Sequence, residues 1–383
     1  MAVPGETRSG RLASMRRRVP SITLGDRRPA APPSSEVPQA PKAPRRRGLR
    51  ARTVERIGVL AYRATAVVLG RIPESVAARV LGWVTQAAYL GWPGRRERAN
   101  ANFSHVLGLS PDDPAVRSLA LGAYRNYARY LVELMRLPRL PLDAAASRVE
   151  PQGIETLEAA WREAGSLILA MAHVGNNEYV AAGLASRGWP VSVLADDTAF
   201  PEMFALLRTQ RERWSVRIIP WRNLREVYGV LRRGEILALL VDWGFRPYGV
   251  PVRLFDAWTT LPAGPAVLAA RSGAAILPVV VHRRSDGTFF VTHDTPIRVR
   301  SGKVEDIRRA TQQIADALER TIGAAPEQWY SFKPMWPEEP VAGAELAAGL
   351  GSVTGLGSPT GLGSAAGLGS PVAAEATIPR DGG

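Results

Sequence analysis

His173 and Glu178 are the side chains of this sequence whose types and spacing best suit joint chemistry. The segment Ser166–Ala185 reads SLILAMAHVGNNEYVAAGLA: an apolar run ends at His173, a Gly175-Asn176 turn follows, and a helical pattern begins near Asn177. Reactive groups of open α/β sheets sit beyond the carboxyl ends of strands, and His173 occupies such a position. An imidazole there can take the proton of a hydroxyl as its oxygen attacks a thioester, while a carboxylate fixes the tautomer and stabilises the imidazolium. Glu178 falls in the first turn of the following helix, and its expected role is to orient His173. The His-x4-Glu spacing alone is unspecific, because a lone histidine at a strand end is more often structural.

Other chemistries lack their residues. The chain has no cysteine and four histidines, His105, His173, His282 and His293. No HxxxH or HExxH spacing joins the histidines, so no metal site is expected. His282 and His293, in or near an edge hairpin, read as structural or surface residues, and His105 as a surface residue. No G-x-S-x-G elbow supplies a serine nucleophile. The transfer would therefore be direct.

The elements that must position this pair alternate in type. Short β-rich runs are Leu167–Met171, Val191–Leu194, Val216–Ile219, Ile236–Val241, Val252–Phe255, Ile276–His282 and Phe289–Thr292, with helical stretches between most of them. That order predicts an α/β fold, a central mostly parallel sheet flanked by helices. Ser285-Asp286-Gly287 joins the last two runs as a hairpin, placed at the sheet edge. Small residues Ala181, Ala182, Gly183 and Ala185 leave either a slot for an acyl chain or room for close helix–sheet packing. Pro262–Pro265 either presents helix amides, with Gly264 among them, to an oxyanion or phosphate, or simply starts a helix.

The chain is 383 residues with a net charge of +14, and thirteen of its basic residues lie in residues 1–52 against Glu6, Asp26 and Glu36. So basic a segment, poor in apolar residues, reads as a disordered arm. The remainder is nearly balanced, and the arm lacks aromatics for stacking, so nucleic acid is not an expected partner. Residues 53–340 form the expected catalytic domain. Its first part, residues 53–92, predicts two apolar helices flanked by Arg and aromatic residues, either lying in a membrane interface or packing as core helices. Their uninterrupted apolar stretches are too short to span a bilayer. Residues 341–383, with four Gly-Leu-Gly-Ser repeats, read as a flexible tail.

Three segments together resemble the lysophospholipid acyltransferase-like enzymes, the group holding lipid A late acyltransferases and phosphatidylinositol mannoside acyltransferases. They are His173-Val-Gly-Asn-Asn-Glu178, the Pro262-Ala-Gly-Pro265 helix with Gly273-Ala-Ala-Ile-Leu-Pro278 after it, and Pro326-Glu-Gln-Trp329 with its continuation to Trp336. Arg95-Arg96 and Asn102 also sit where the family places a basic, Asn-containing segment. The resemblance covers about residues 55–340 and departs at two places. Asn177 stands where relatives usually have Trp, and Val241-Asp-Trp-Gly-Phe-Arg246 stands where they show an Asp-Arg-Asp or Asp-Gln-Asp motif.

The resemblance implies catalytic roles for His173, Glu178 and Asp242, with Asn176, Asn177, Arg246 and Gly264 as substrate contacts. Arg246 is read either as a phosphate contact or as a solvated loop residue. It implies acyl-CoA or acyl carrier protein as donor, no further cofactor, and a lipid acceptor, first a phosphatidylinositol mannoside, with lipid A or a lysophospholipid as the alternative. A peripheral place on the cytoplasmic face of the plasma membrane is expected, with the apolar helices of residues 53–92, assisted by the arginine arm, against an anionic lipid surface. The departures leave open a catalytically weakened relative that binds anionic lipid.

Overall fold

The apolar runs of the sequence become one sheet with helices on both faces. The computed structural model describes residues 49–151, 154–197 and 200–339. The Gly-Ser tail and nearly all of the basic arm lie outside these residues. Residues 49–52, read as part of the arm, belong instead to the first helix.

Four helices come first: α1 (Leu49–Leu69), α2 (Glu74–Gly91), α3 (Pro93–Leu107) and α4 (Pro114–Arg136). A short α5 (Leu142–Ala146) leads to β1 (Val149–Pro151) and α6 (Ile154–Ala164). Strand and helix then alternate through β2 (Leu167–Met171), α7 (Asn177–Ala185), β3 (Val191–Ala195), α8 (Pro201–Glu212), β4 (Arg217–Pro220), α9 (Leu224–Arg232) and β5 (Ile236–Leu240). A hairpin of β6 (Val250–Leu254) and β7 (Ala257–Leu261) precedes α10 (Gly264–Ser272), β8 (Ala275–Arg283), β9 (Phe289–His293) and α11 (Val304–Ala324).

The seven-stranded sheet has the order β1-β9-β8-β2-β5-β3-β4. Every neighbouring pair is parallel except β8 and β9. The expected hairpin is therefore present, but it is not the edge: β1 pairs outside β9. The run at Val252–Phe255 also differs from expectation. It joins β7 in a separate two-stranded sheet, because Phe255 and Asp256, at φ 48° and 58°, turn the chain back at once. Two successive left-handed residues make the tight reversal that a two-residue hairpin needs.

Side chains of β2 alternate between two cores. Ile168 and Ala170 face the layer of α9, α10 and α11, while Leu167, Leu169 and Met171 face the layer of α5, α6 and α7. The site develops on the second face. α2 packs Ala77, Thr85 and Tyr89 inward, and α1 buries Val59 and Leu69. Both helices leave a run of large apolar residues in solvent, among them Ile57, Leu60, Val80, Trp83 and Leu90, followed by Trp92. No helix among the described residues is long and apolar enough to cross a membrane.

Candidate active site

Strand register brings the key side chains together. β2 and β5 are adjacent and parallel, with Met171 opposite Leu240. His173 and Asp242 each lie two residues beyond those ends and so emerge side by side. His173 Nδ1 is 2.7 Å from Asp242 Oδ1, and the His173 backbone N–H donates to Asp242 Oδ2 at 2.9 Å. Trp329 Nε1 donates to the same Oδ2 at 2.8 Å. Asp242 is fully buried. Burial pushes its carboxyl up, but the charge and hydrogen bonds of His173 and the Trp329 indole outweigh this and hold it below the usual range. An ionised Asp242 accepts only, so Nδ1 carries the proton of this contact, and in the neutral imidazole Nε2 is the acceptor nitrogen. His173 Nε2 is buried and has no hydrogen-bond partner in the protein.

The loop after β2 is fixed from the far end of the chain. Val174 bridges to Trp329, Gly175 N–H donates to the Gln328 carbonyl at 3.2 Å, and Tyr330 N–H donates to the His173 carbonyl at 2.8 Å. Gly175 has φ 61°, and a Cβ there would stand 2.4 Å from the Val281 carbonyl oxygen. Only glycine fits this position. Asn102 of α3 completes the brace, donating to the carbonyls of Ser331 and Lys333 and accepting from Met335 N–H.

Glu178 does something other than expected. It lies in the first turn of α7, yet its carboxylate faces Arg211 near the end of α8, accepting from Arg211 Nε at 2.7 Å and from Nη2. Both residues are buried. The bidentate pair ties α7 to α8, and Asp242 takes the orienting place beside His173. Asn176, expected to touch substrate, is wholly buried instead. Its Oδ1 caps α7 by accepting from Glu178 N–H at 3.1 Å, and its Nδ2 donates to Glu133 at 2.9 Å. Glu133 also accepts from Arg283 at 2.7 and 2.8 Å. This Glu133–Arg283–Asn176 cluster, which fixes the start of α7, joins residues too far apart in sequence to be seen there. Gly264 begins α10 in the core and does not line the cavity.

His173 and Asp242 open onto a cavity of about 490 Å³. Its inner wall is apolar, built from Leu169, Met171, Leu184 and Val193 with Phe204 and Leu207 of α8. Asn177 lines it beside the base, its Nδ2 donating to the Ala172 carbonyl at 2.9 Å. Ala181 lines it as well, whereas Ala182 is packed in the core behind and does not. Arg95, Arg98, Trp243 and Lys333 line it too. Arg246 is exposed on the loop beyond Asp242 and lies outside the wall.

The other histidines stay away from this chemistry. His282 Nε2 meets the Thr321 carbonyl and His293 Nδ1 that of Asp294, each at 3.1 Å. His105 is not a free surface residue: it stacks on Trp336 at 4.2 Å, and burial lowers its pKa. Among the described residues no cluster of His, Asp and Glu could hold a metal ion. An imidazole hydrogen-bonded to a buried acid and lining an apolar cavity is equipped to activate a hydroxyl toward an acyl chain lying in that cavity.

A family model described as bacterial lipid A biosynthesis acyltransferase matches residues 47–338. The chain is 27% identical over 286 residues to the phosphatidylinositol mannoside acyltransferases of two Mycobacterium tuberculosis strains, covering 72% of this chain and 87% of theirs. It is 27% identical over 282 residues to the protein of the same description from Mycolicibacterium smegmatis, covering 72% of this chain and 90% of that one.

Proposed function

Because this chain belongs to the bacterial lipid A biosynthesis acyltransferase family, we propose that it moves a fatty acyl group from coenzyme A or an acyl carrier protein to a hydroxyl of a phosphatidylinositol mannoside. Membership makes it an enzyme of the acyltransferase class, with an acyl donor and a lipid acceptor. The observation that carries the mechanism is the bare, buried Nε2 of His173 beside an apolar cavity, with Nδ1 held by Asp242.

The acyl chain lies between α7, α8 and the sheet, with the thioester carbonyl at His173. Nε2 takes the proton of the acceptor hydroxyl as its oxygen bonds to the carbonyl carbon. Asp242 stabilises the imidazolium so formed. The tetrahedral intermediate then collapses, the C–S bond breaks, and the departing thiolate takes the proton from Nε2, leaving ester, free thiol and neutral imidazole. His173 and Asn177 meet the reactants and Asp242 acts through His173, while Glu178 and Asn176 act through the walls they hold.

The acceptor assignment rests on the mannoside acyltransferases above. The description of the family model favours lipid A as the second reading. The exposed apolar faces of α1 and α2 support peripheral attachment to the cytoplasmic leaflet, since contiguous apolar surface marks a membrane or partner contact.

Mass spectrometry of total host lipids with and without the gene tests the acceptor. Loss of one acyl mass from phosphatidylinositol mannosides is the expected result. Loss from lipid A or lysophospholipid alone would reassign it, and an unchanged lipid profile would count against the reading altogether.

A further inference from the structure

Strand register gives the depth of the cavity beside His173. Val191, at the start of β3, lines it and pairs with Ile236 of β5, six residues before Asp242. At the rise of an extended strand that rung lies roughly 20 Å from the acid. Leu169 lines the cavity between these levels, opposite Ala238. Because α7 links β2 to β3, which run parallel on either side of β5, it returns over the same stretch. Leu184 lies seven residues beyond Asn177, so it is roughly 10 Å further from the base along the helix. Its carbonyl accepts from Trp189 N–H at 3.2 Å, just before β3 begins.

A second, mostly apolar cavity of about 20 Å³ lies behind this wall. Val149 of β1, Leu157 of α6, Val279 of β8 and Val291 of β9 line it, on the side of β2 away from β5 and β3. It has room for little more than one water-sized group. Leu169, Val180 and Leu184 line both cavities, and all three are buried. Leu169 belongs to the sheet beneath. The partition above it is therefore Val180 and Leu184, one helical turn apart on the same face of α7. Leu184 is the larger of the two and the farther from His173.

We propose that Leu184 determines acyl-chain specificity: with Val180 and Leu169 it confines the chain to the first cavity and so limits the length accepted. That an acyl chain fills the first cavity rests on the acyl-transfer reading. An alkyl chain gains affinity for each methylene it buries and nothing for one it cannot. Removing Cγ and both Cδ atoms of Leu184 joins the void so made to the second cavity, which gives the tail room to turn beneath α7 for about two more methylenes.

The test is displacement of a fluorescent polyene fatty acid from the full chain by saturated fatty acids of rising length. Wild-type affinity should rise about fourfold per methylene up to a limit and then stop rising. Leu184→Ala should extend the rise, so that an acid two carbons past the wild-type limit binds roughly tenfold tighter to the variant than to wild type. Leu184→Val should move the limit the same way by less, and it serves if Leu184→Ala does not fold. Val149→Ala enlarges the second cavity alone. It should leave the limit unchanged while Leu184 is present and lengthen it further in the Leu184→Ala background. An unmoved limit in folded Leu184 variants, or a limit lengthened by Val149→Ala alone, would overturn the proposal. Wild type that binds no fatty acid would overturn it together with the acyl slot. Binding needs no turnover, so a protein that shows the shifted limit yet transfers no acyl group would contradict the reaction and not the partition.

Discussion

Met171 and Leu240 lie opposite each other on adjacent parallel strands, and His173 and Asp242, the proposed base and its acid, each follow two positions later. Their 2.7 Å contact is a product of strand order, since 69 residues separate them along the chain.

Trp329 gives the Asp242 carboxylate a second side-chain donor. Trp329→Phe keeps the ring's bulk in the core and removes that hydrogen bond alone. Loss of a buried hydrogen bond to a charged group costs about 1.5–3 kcal/mol, so kcat should fall by roughly ten- to a hundredfold with little change in KM for either substrate. Steady-state kinetics of the purified variant check this.

Glu178→Gln separates two roles for Glu178. Breaking its buried bidentate pair leaves Arg211 uncompensated, which should cost about 3–5 kcal/mol of stability. The Glu178→Leu/Arg211→Met double variant should recover most of that loss. Urea midpoints measure stability, and kcat per folded molecule should stay near wild type for the double variant. A kcat falling in parallel with the Asp242 variants would restore Glu178 to the base.

Chain length should respond to Ala181, which lines the cavity, and not to Ala182, which packs behind it. Ala181→Phe should shift preference toward shorter acyl donors, at ~0.8 kcal/mol for each methylene that can no longer be buried. Ala182→Phe should instead overpack the core by about 1–3 kcal/mol and lower activity evenly across chain lengths. Competition assays with donors of graded length distinguish them.

Acid stability should follow Asp242. Its folded pKa is depressed, so its contribution is fully present above the unfolded value of ~3.9 and is lost as pH falls through the lower folded value. Asp242→Asn should therefore flatten the acid limb of a plot of urea midpoint against pH.

The exposed face of α2 and its exit should carry vesicle binding. Replacing Trp83, Leu90 and Trp92, all more than half exposed, with Ser should weaken sedimentation with anionic vesicles by about tenfold or more, at ~25 cal/mol per Å² of apolar area. Turnover of detergent-dispersed substrate should be little changed.

The sheet was legible where the chain writes it locally. Leu167–Met171 is an unbroken apolar run, as a strand buried on both faces must be, and it matches β2 residue for residue. β7 went unread because Phe255-Asp256 adopts left-handed geometry without the usual Asn-Gly signal. β1 is three residues long and is defined by pairing with β9 far along the chain. The same division holds at the site. His173 was visible from its strand end and turn. Asp242 came from likeness to a family, and its contact required knowing that β5 lies beside β2. Glu178 was misread because nearness in sequence suggested a partner, while the carboxylate meets Arg211, 33 residues on. The Pro326–Trp329 motif was recognisable, but the hydrogen bond of its indole to Asp242 was not.

The claim that Asp242 acts through His173 is tested most directly by a double-mutant cycle on single-turnover acyl transfer. His173→Ala and Asp242→Asn should each slow transfer, the former by ~10²–10⁴-fold. Asp242→Asn added to His173→Ala should cost almost nothing more, because the acid has no base left to orient. Losses that multiply in the double variant, or a His173→Ala variant near wild-type rate, would contradict the account.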